Sequence, residues 1–68
     1  MYRVYHGRMK SGDLTRELEA NGWQLDRIRG SHHVYKHPEN PSIITVPHPS
    51  KDLGKGLVAG LRKLAGLK

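Results

Sequence analysis

The sequence predicts a small α+β domain of order α-β-β-β-α, with a three-stranded antiparallel sheet and both helices on one of its faces. Three observations predict it. Leucine-spaced segments stand toward either end of the 68 residues. Between them lie three short runs with β-branched and aromatic residues, the types that suit a pleated surface. Those runs are parted by Gly30-Ser31 and Pro38-Glu39-Asn40-Pro41, connections short enough to demand antiparallel pairing.

Residues 1–8 show no clear period, and Met9 reads as an alternative start. They are expected to be an N-terminal extension, leaving one domain at residues 9–68. Ser11 is suited to cap a helix, with Asp13 in the first turn where a negative charge meets the helix dipole. Leu14 and Leu18 lie four apart on one side. Gly22, after Asn21, supplies a C-terminal stop, so a helix is predicted over about Gly12 to Asn21. Trp23 to Arg29 reads as a strand whose alternation slips between Leu25 and Ile28, the mark of a bend or bulge. His32 to His37 makes a second strand around Val34 and Tyr35. Ser42 to Val46 makes a third, ended by Pro47 and Pro49. From about Lys55, Leu57, Leu61 and Leu64 form a helical stripe with Val58 and Ala65 beside it. Gly66 ends it, and Gly56 and Gly60 weaken it by up to about 1 kcal/mol each. With the leucine stripes of both helices on one sheet face, the other face and the loops are free for work.

Composition narrows the function. A chain this short buries only about 60% of its unfolded surface, so an elaborate cofactor pocket does not fit. No cysteine is present, which excludes disulfides and thiolate zinc sites. No apolar run approaches the roughly 20 residues of a membrane span, and a cytoplasmic location is the default expectation. The formal net charge is +6 and it is polarised: residues 13–26 carry −3, whereas residues 27–37 carry +3 and residues 51–68 carry +4. Such a surface favours polyanions.

Five histidines are present, four of them between positions 32 and 48. His33 and His37 share strand parity and His48 follows the next strand, so a metal site is conceivable, although Glu39 is the lone carboxylate nearby. Acid–base chemistry is the sharper reading. RNA carries its own nucleophile, the 2′-hydroxyl, and a histidine titrating near pH 6.5 can remove its proton at neutral pH. His32 follows Gly30-Ser31 at an accessible strand start, with Arg27, Arg29 and Lys36 near it in sequence. The plainer alternative is an ordinary polar strand residue. Gly30-Ser31 offers backbone N–H groups to a phosphate, or is simply a turn. Lys51, Lys55, Arg62, Lys63 and Lys68 suit a phosphate backbone, or form a solvated face. Trp23 reads as core. Tyr35 is open between core and base stacking.

Several of these pieces, in order, resemble the HicA family of toxin mRNA interferases. They are Asn21-Gly22-Trp23 at the helix end, Arg29-Gly30-Ser31-His32-His33-Val34-Tyr35, His37-Pro38, Thr45-Val46-Pro47-His48, and Leu61-Arg62-Lys63-Leu64-Ala65-Gly66-Leu67. The resemblance covers nearly all of residues 9–68. It implies a fold like that of double-stranded-RNA-binding domains, and an endoribonuclease that cleaves messenger RNA without metal or other cofactor. It also implies a HicB-type antitoxin as partner. The family's catalytic histidine follows the Gly-Ser pair. That role falls on His32, with His33 in reserve because some relatives carry another residue before their histidine. Arg27, Arg29, Gly30, Ser31, Lys36, Lys51 and Lys55 are the expected RNA-binding residues, with Arg29 and Lys36 meeting the charge of the phosphorane. The general acid is left open between water and His33. Two rival readings remain at this point: a double-stranded-RNA-binding module without catalysis, and a protein that grips an acidic partner.

Overall fold

The computed structural model describes residues 9–67. The predicted extension at residues 1–8 lies outside the described residues. The order is α1 (Ser11–Ala20), β1 (Gln24–Arg29), β2 (His32–His37), β3 (Asn40–Pro47) and α2 (Lys55–Leu64). The strands form one antiparallel sheet in chain order, with β2 in the centre. No described helix is long and apolar enough to cross a membrane.

Both helices end as their glycines dictate. In α1 the cap residue is Asn21, and Gly22 then takes φ +91°. The Gly22 N–H bonds Glu19 O and the Trp23 N–H bonds Leu18 O. This is a Schellman closure, which needs a left-handed residue after the cap. The second helix repeats it: Gly66 (φ +76°) bonds Lys63 O, and Leu67 bonds Arg62 O. Gly22 has a second constraint, because a Cβ there would stand 2.7 Å from His37 Nε2. Gly22→Ala is therefore expected to lower stability by about 1–3 kcal/mol through strain and collision together. Thermal unfolding measures it.

The N-terminus of α1 departs from expectation. Ser11 is not the cap: Lys10 is, and it makes no side-chain capping bond. Ser11 is the first helical residue and is buried. Its Oγ accepts the Ser50 N–H at 2.8 Å, and its own N–H donates to Ser50 O at 2.9 Å. A long-range partner has taken the hydroxyl that a local cap would use. The same seam continues where Leu53 N–H meets Met9 O.

The slip predicted in the first strand is a bulge at Asp26. Leu25 pairs with Tyr35 and Arg27 with Val34, leaving Asp26 extra. Residues three apart, as Leu25 and Ile28 are, normally point to opposite faces. The extra residue restores them to one face, since Ile28 then pairs with His33, two positions from Tyr35. The third strand is longer than predicted, starting at Asn40. Its ladder slips after Tyr35, where Pro41 has no N–H to offer. Asn40 bridges the break: its Oδ1 accepts the Ser42 N–H, and its Nδ2 donates to Leu64 O.

One sheet face is covered by both helices. Its core joins Leu14 and Leu18 of α1, Tyr35, Ile44 and Val46 of the sheet, and Val58 and Leu61 of α2, with Met9, Trp23, Leu53 and Ala65 around them. Trp23 and Tyr35 are both 2% exposed, so neither offers a face to a base. Burial pushes the Tyr35 phenol upward, with Glu19 adding to the effect. The α2 stripe is rolled from its expected position. Val58, Leu61 and Ala65 face inward, while Leu57 and Leu64 remain substantially exposed. In that position Arg62 forms an ion pair with Glu17 of α1, and Asn40 bonds Leu64 O.

Candidate functional site

The site grows from the β1–β2 hairpin. Arg29 pairs with His32, so Gly30-Ser31 is a two-residue loop. Gly30 has φ +60°, the sign a type II′ turn needs at its first position, and Ser31 does not share it. This loop holds the start of the central strand against the end of β3. Pro47 pairs with His32, and the next residue donates its N–H to Ser31 O at 2.7 Å. That next residue is His48.

Strand alternation then separates the adjacent histidines. His32 is exposed on the open face. There it lines a groove of about 580 Å³ with Asp26, Arg27, Arg29, Val34, Ile43 and Thr45. His33 pairs with Val46 and Ile28 and so belongs to the helix-covered face. It is half-buried, and its ring meets that of His48 with centroids 4.3 Å apart and planes tilted by 45°. His48 Nδ1 is buried with no hydrogen-bond partner among the described residues.

The expected RNA-binding residues do not form one cluster. Arg27, Arg29, Gly30 and Ser31 gather at the hairpin and the groove beside it. Lys36 is on the same strand as His32 but four residues along, which is about 13 Å at strand rise. There Asp26 holds it at 3.3 Å, and the same carboxylate takes Arg27 Nε at 2.9 Å. These two cations keep the Asp26 carboxyl below the usual carboxylate range, Arg27 first. Lys51 is exposed on the segment after His48, next to Ser50 and hence beside the start of α1. Lys55 is exposed at the start of α2.

The histidines weighed as a metal set are divided by the fold. His33 and His48 meet, but His37 is engaged elsewhere. Its Nε2 is 3.0 Å from Asn21 O, its Nδ1 accepts the Glu39 N–H, and its ring edge packs on Trp23. A single neutral tautomer, protonated at Nε2, satisfies both bonds. His37 is thus a bracket between the end of α1 and the β2–β3 turn. Among the described residues no three His, Cys, Asp or Glu side chains converge as metal ligands.

What sequence reasoning did not anticipate is that His48 meets His33 while His37 is held elsewhere. The signal was present in Pro47-His48-Pro49, which places a histidine one residue past a strand that ends opposite His32. A family model, that of the HicA toxin of bacterial toxin–antitoxin systems, matches residues 11–67. Among curated proteins none matches the chain.

Proposed function

The chain belongs to the HicA family of toxins of bacterial toxin–antitoxin systems, and on that premise we propose that it is an endoribonuclease that cleaves messenger RNA at the Gly30-Ser31-His32-His33 corner. Family membership brings an antitoxin as partner. We take that antitoxin to be of the HicB type, covering this corner.

The observation that carries the reading is the groove of the open sheet face, in which His32 stands with Arg27 and Arg29. Cleavage of RNA through its own 2′-hydroxyl requires a base for that hydroxyl, a proton for the departing 5′-oxygen, and positive charge for the phosphorane. His32 meets the first need, and water reaches the departing oxygen in an exposed groove. Arg27 and Arg29, which line the same groove, are the cations placed for the third.

Two features favour His32 over His33 as the base, in the order that the sequence suggested. His32 is exposed on the open face, whereas His33 is half-buried on the helix-covered face. His32 also shares its groove with two arginines, whereas His33 packs on the His48 ring. RNA lying in the open groove then meets His32, Arg27 and Arg29 together. In the step itself, His32 takes the 2′-hydroxyl proton and the 2′-oxygen bonds to phosphorus. The bond from phosphorus to the 5′-oxygen breaks, and that oxygen takes a proton from water. The products are a 2′,3′-cyclic phosphate and a 5′-hydroxyl end.

The test uses purified protein and an end-labelled transcript, with and without a chelator. Fragments ending in 2′,3′-cyclic phosphate, undiminished by the chelator, are expected. Retarded but intact RNA would replace this reading with a binding module, and loss of cleavage in chelator would remove its metal-free chemistry.

A further inference from the structure

We infer that Asp26 is a positioning residue for the cleavage: it holds Arg27 by Nε, so that the outer nitrogens of the guanidinium meet the phosphate chain beside His32. The inference rests on the reading of the chain as an endoribonuclease whose site is the open groove.

The bulge makes this arrangement possible. Neighbouring residues of a regular strand point to opposite faces, so a carboxylate at position 26 would ordinarily stand away from an arginine at 27. In β1 the extra residue falls at Asp26, and both side chains line the groove with His32. Bulges re-aim side chains in this way, and they are over-represented next to active sites. Arg27 pairs with Val34, two residues along β2 from His32. On one face of a strand that spacing is about 7 Å, which an arginine side chain spans.

The contacts then divide the guanidinium. Arg27 Nε donates to Asp26 Oδ2 at 2.9 Å. The paired Nη groups are left, and they are a part of the fork that matches phosphate geometry. The Arg27 side chain is 62% exposed, and a long side chain so exposed spreads over many rotamers unless something fixes it. Arg29 gives the contrast. It lines the same groove, and no carboxylate among the described residues holds it.

A carboxylate in a groove for RNA opposes binding by its charge, so its presence there calls for a reason. Lys36 offsets that charge, its Nζ lying 3.3 Å from Asp26 Oδ1. The two cations hold the Asp26 carboxyl below the usual carboxylate range, Arg27 first. It therefore stays ionised wherever a histidine can act as base. Support of the fold is a poor alternative reason, because ion pairs this exposed contribute little to stability.

Single-turnover cleavage of an end-labelled oligoribonucleotide, followed over a range of protein concentrations at fixed salt, separates positioning from charge. Removing a negative charge from the groove does not weaken RNA binding. Asp26→Ala is therefore expected to bind RNA at least as tightly as the wild type, yet to cleave it about 10–10²-fold more slowly at saturation. Asp26→Asn keeps an acceptor for Nε and is expected to recover part of that rate. Arg27→Ala is expected to lose both binding and rate. Adding Asp26→Ala to Arg27→Ala should slow cleavage no further, because the group it positions is gone. A merely structural role would instead slow both backgrounds equally, and that result would overturn the proposal. So would an Asp26→Ala rate at or above the wild-type rate, a loss confined to binding, or no recovery in Asp26→Asn. Wild-type protein that leaves the RNA intact would remove the endoribonuclease reading and the proposal with it, whereas the other adverse results remove the proposal alone.

Discussion

His32→Ala is expected to slow RNA cleavage by about 10²–10⁴-fold, the usual contribution of a positioned general base. Growth arrest on expression should disappear with it. The fold should survive, because His32 is exposed on the open face. Its unfolding midpoint should stay near that of the wild type, so the loss belongs to chemistry. His33→Ala is the paired experiment. His33 is half-buried and packs on the His48 ring, and its removal should leave most of the turnover rate. If His33→Ala is dead and His32→Ala is active, the base is His33, and the open groove is not the catalytic centre.

Ile44→Ala is expected to cost about 2–5 kcal/mol, through lost transfer energy and the cavity left behind. Ile44 is 0% exposed in the cluster formed with Leu14, Leu18 and Val46. The domain as a whole should be worth roughly 3–10 kcal/mol at about 0.05–0.15 kcal/mol per residue. One substitution thus removes much of its stability, and a large unfolded fraction at 37 °C is expected. The neighbouring residue provides the control. Ile43 is 56% exposed on the open face, and Ile43→Ala should change stability by less than about 1 kcal/mol. Urea or thermal unfolding followed by circular dichroism compares the two. Equal losses would mean that the open face is covered in solution.

The elements were legible where a residue type dictates a backbone event. Gly22 and Gly66 end helices because the chain must pass through a left-handed residue there. Gly30-Ser31 closes a hairpin for the same reason. The bulge at Asp26 was legible as a broken alternation, because a strand has only two faces and an inserted residue exchanges them. Ser11 misled, because a serine before a helical run suits a cap, and nothing local reveals that Ser50 will claim its hydroxyl. Leu57 and Leu64 misled in the same way. The stripe contains more apolar residues than the sheet can cover, and which of them are buried is decided by packing against α1 and the sheet, far away in sequence.

The sequence by itself determined the order of elements, the ends of both helices, the cationic polarity and the family, all of which depend on short-range rules or ordered motifs. It also singled out Gly30-Ser31-His32-His33. Only the tertiary structure decided where those four residues are placed. Alternation along β2 sends His32 to the open groove and His33 to the covered face, and the register of β3 then brings His48 onto His33. It also holds Lys36 away, in the grip of Asp26 at the other end of the strand. The physical reason is that a ring contact between positions 33 and 48 depends on strand pairing and on the path of the chain past Pro47. Both are set by burial of Tyr35, Ile44 and Val46 under two helices, and that burial is a property of the packed domain rather than of any segment within it.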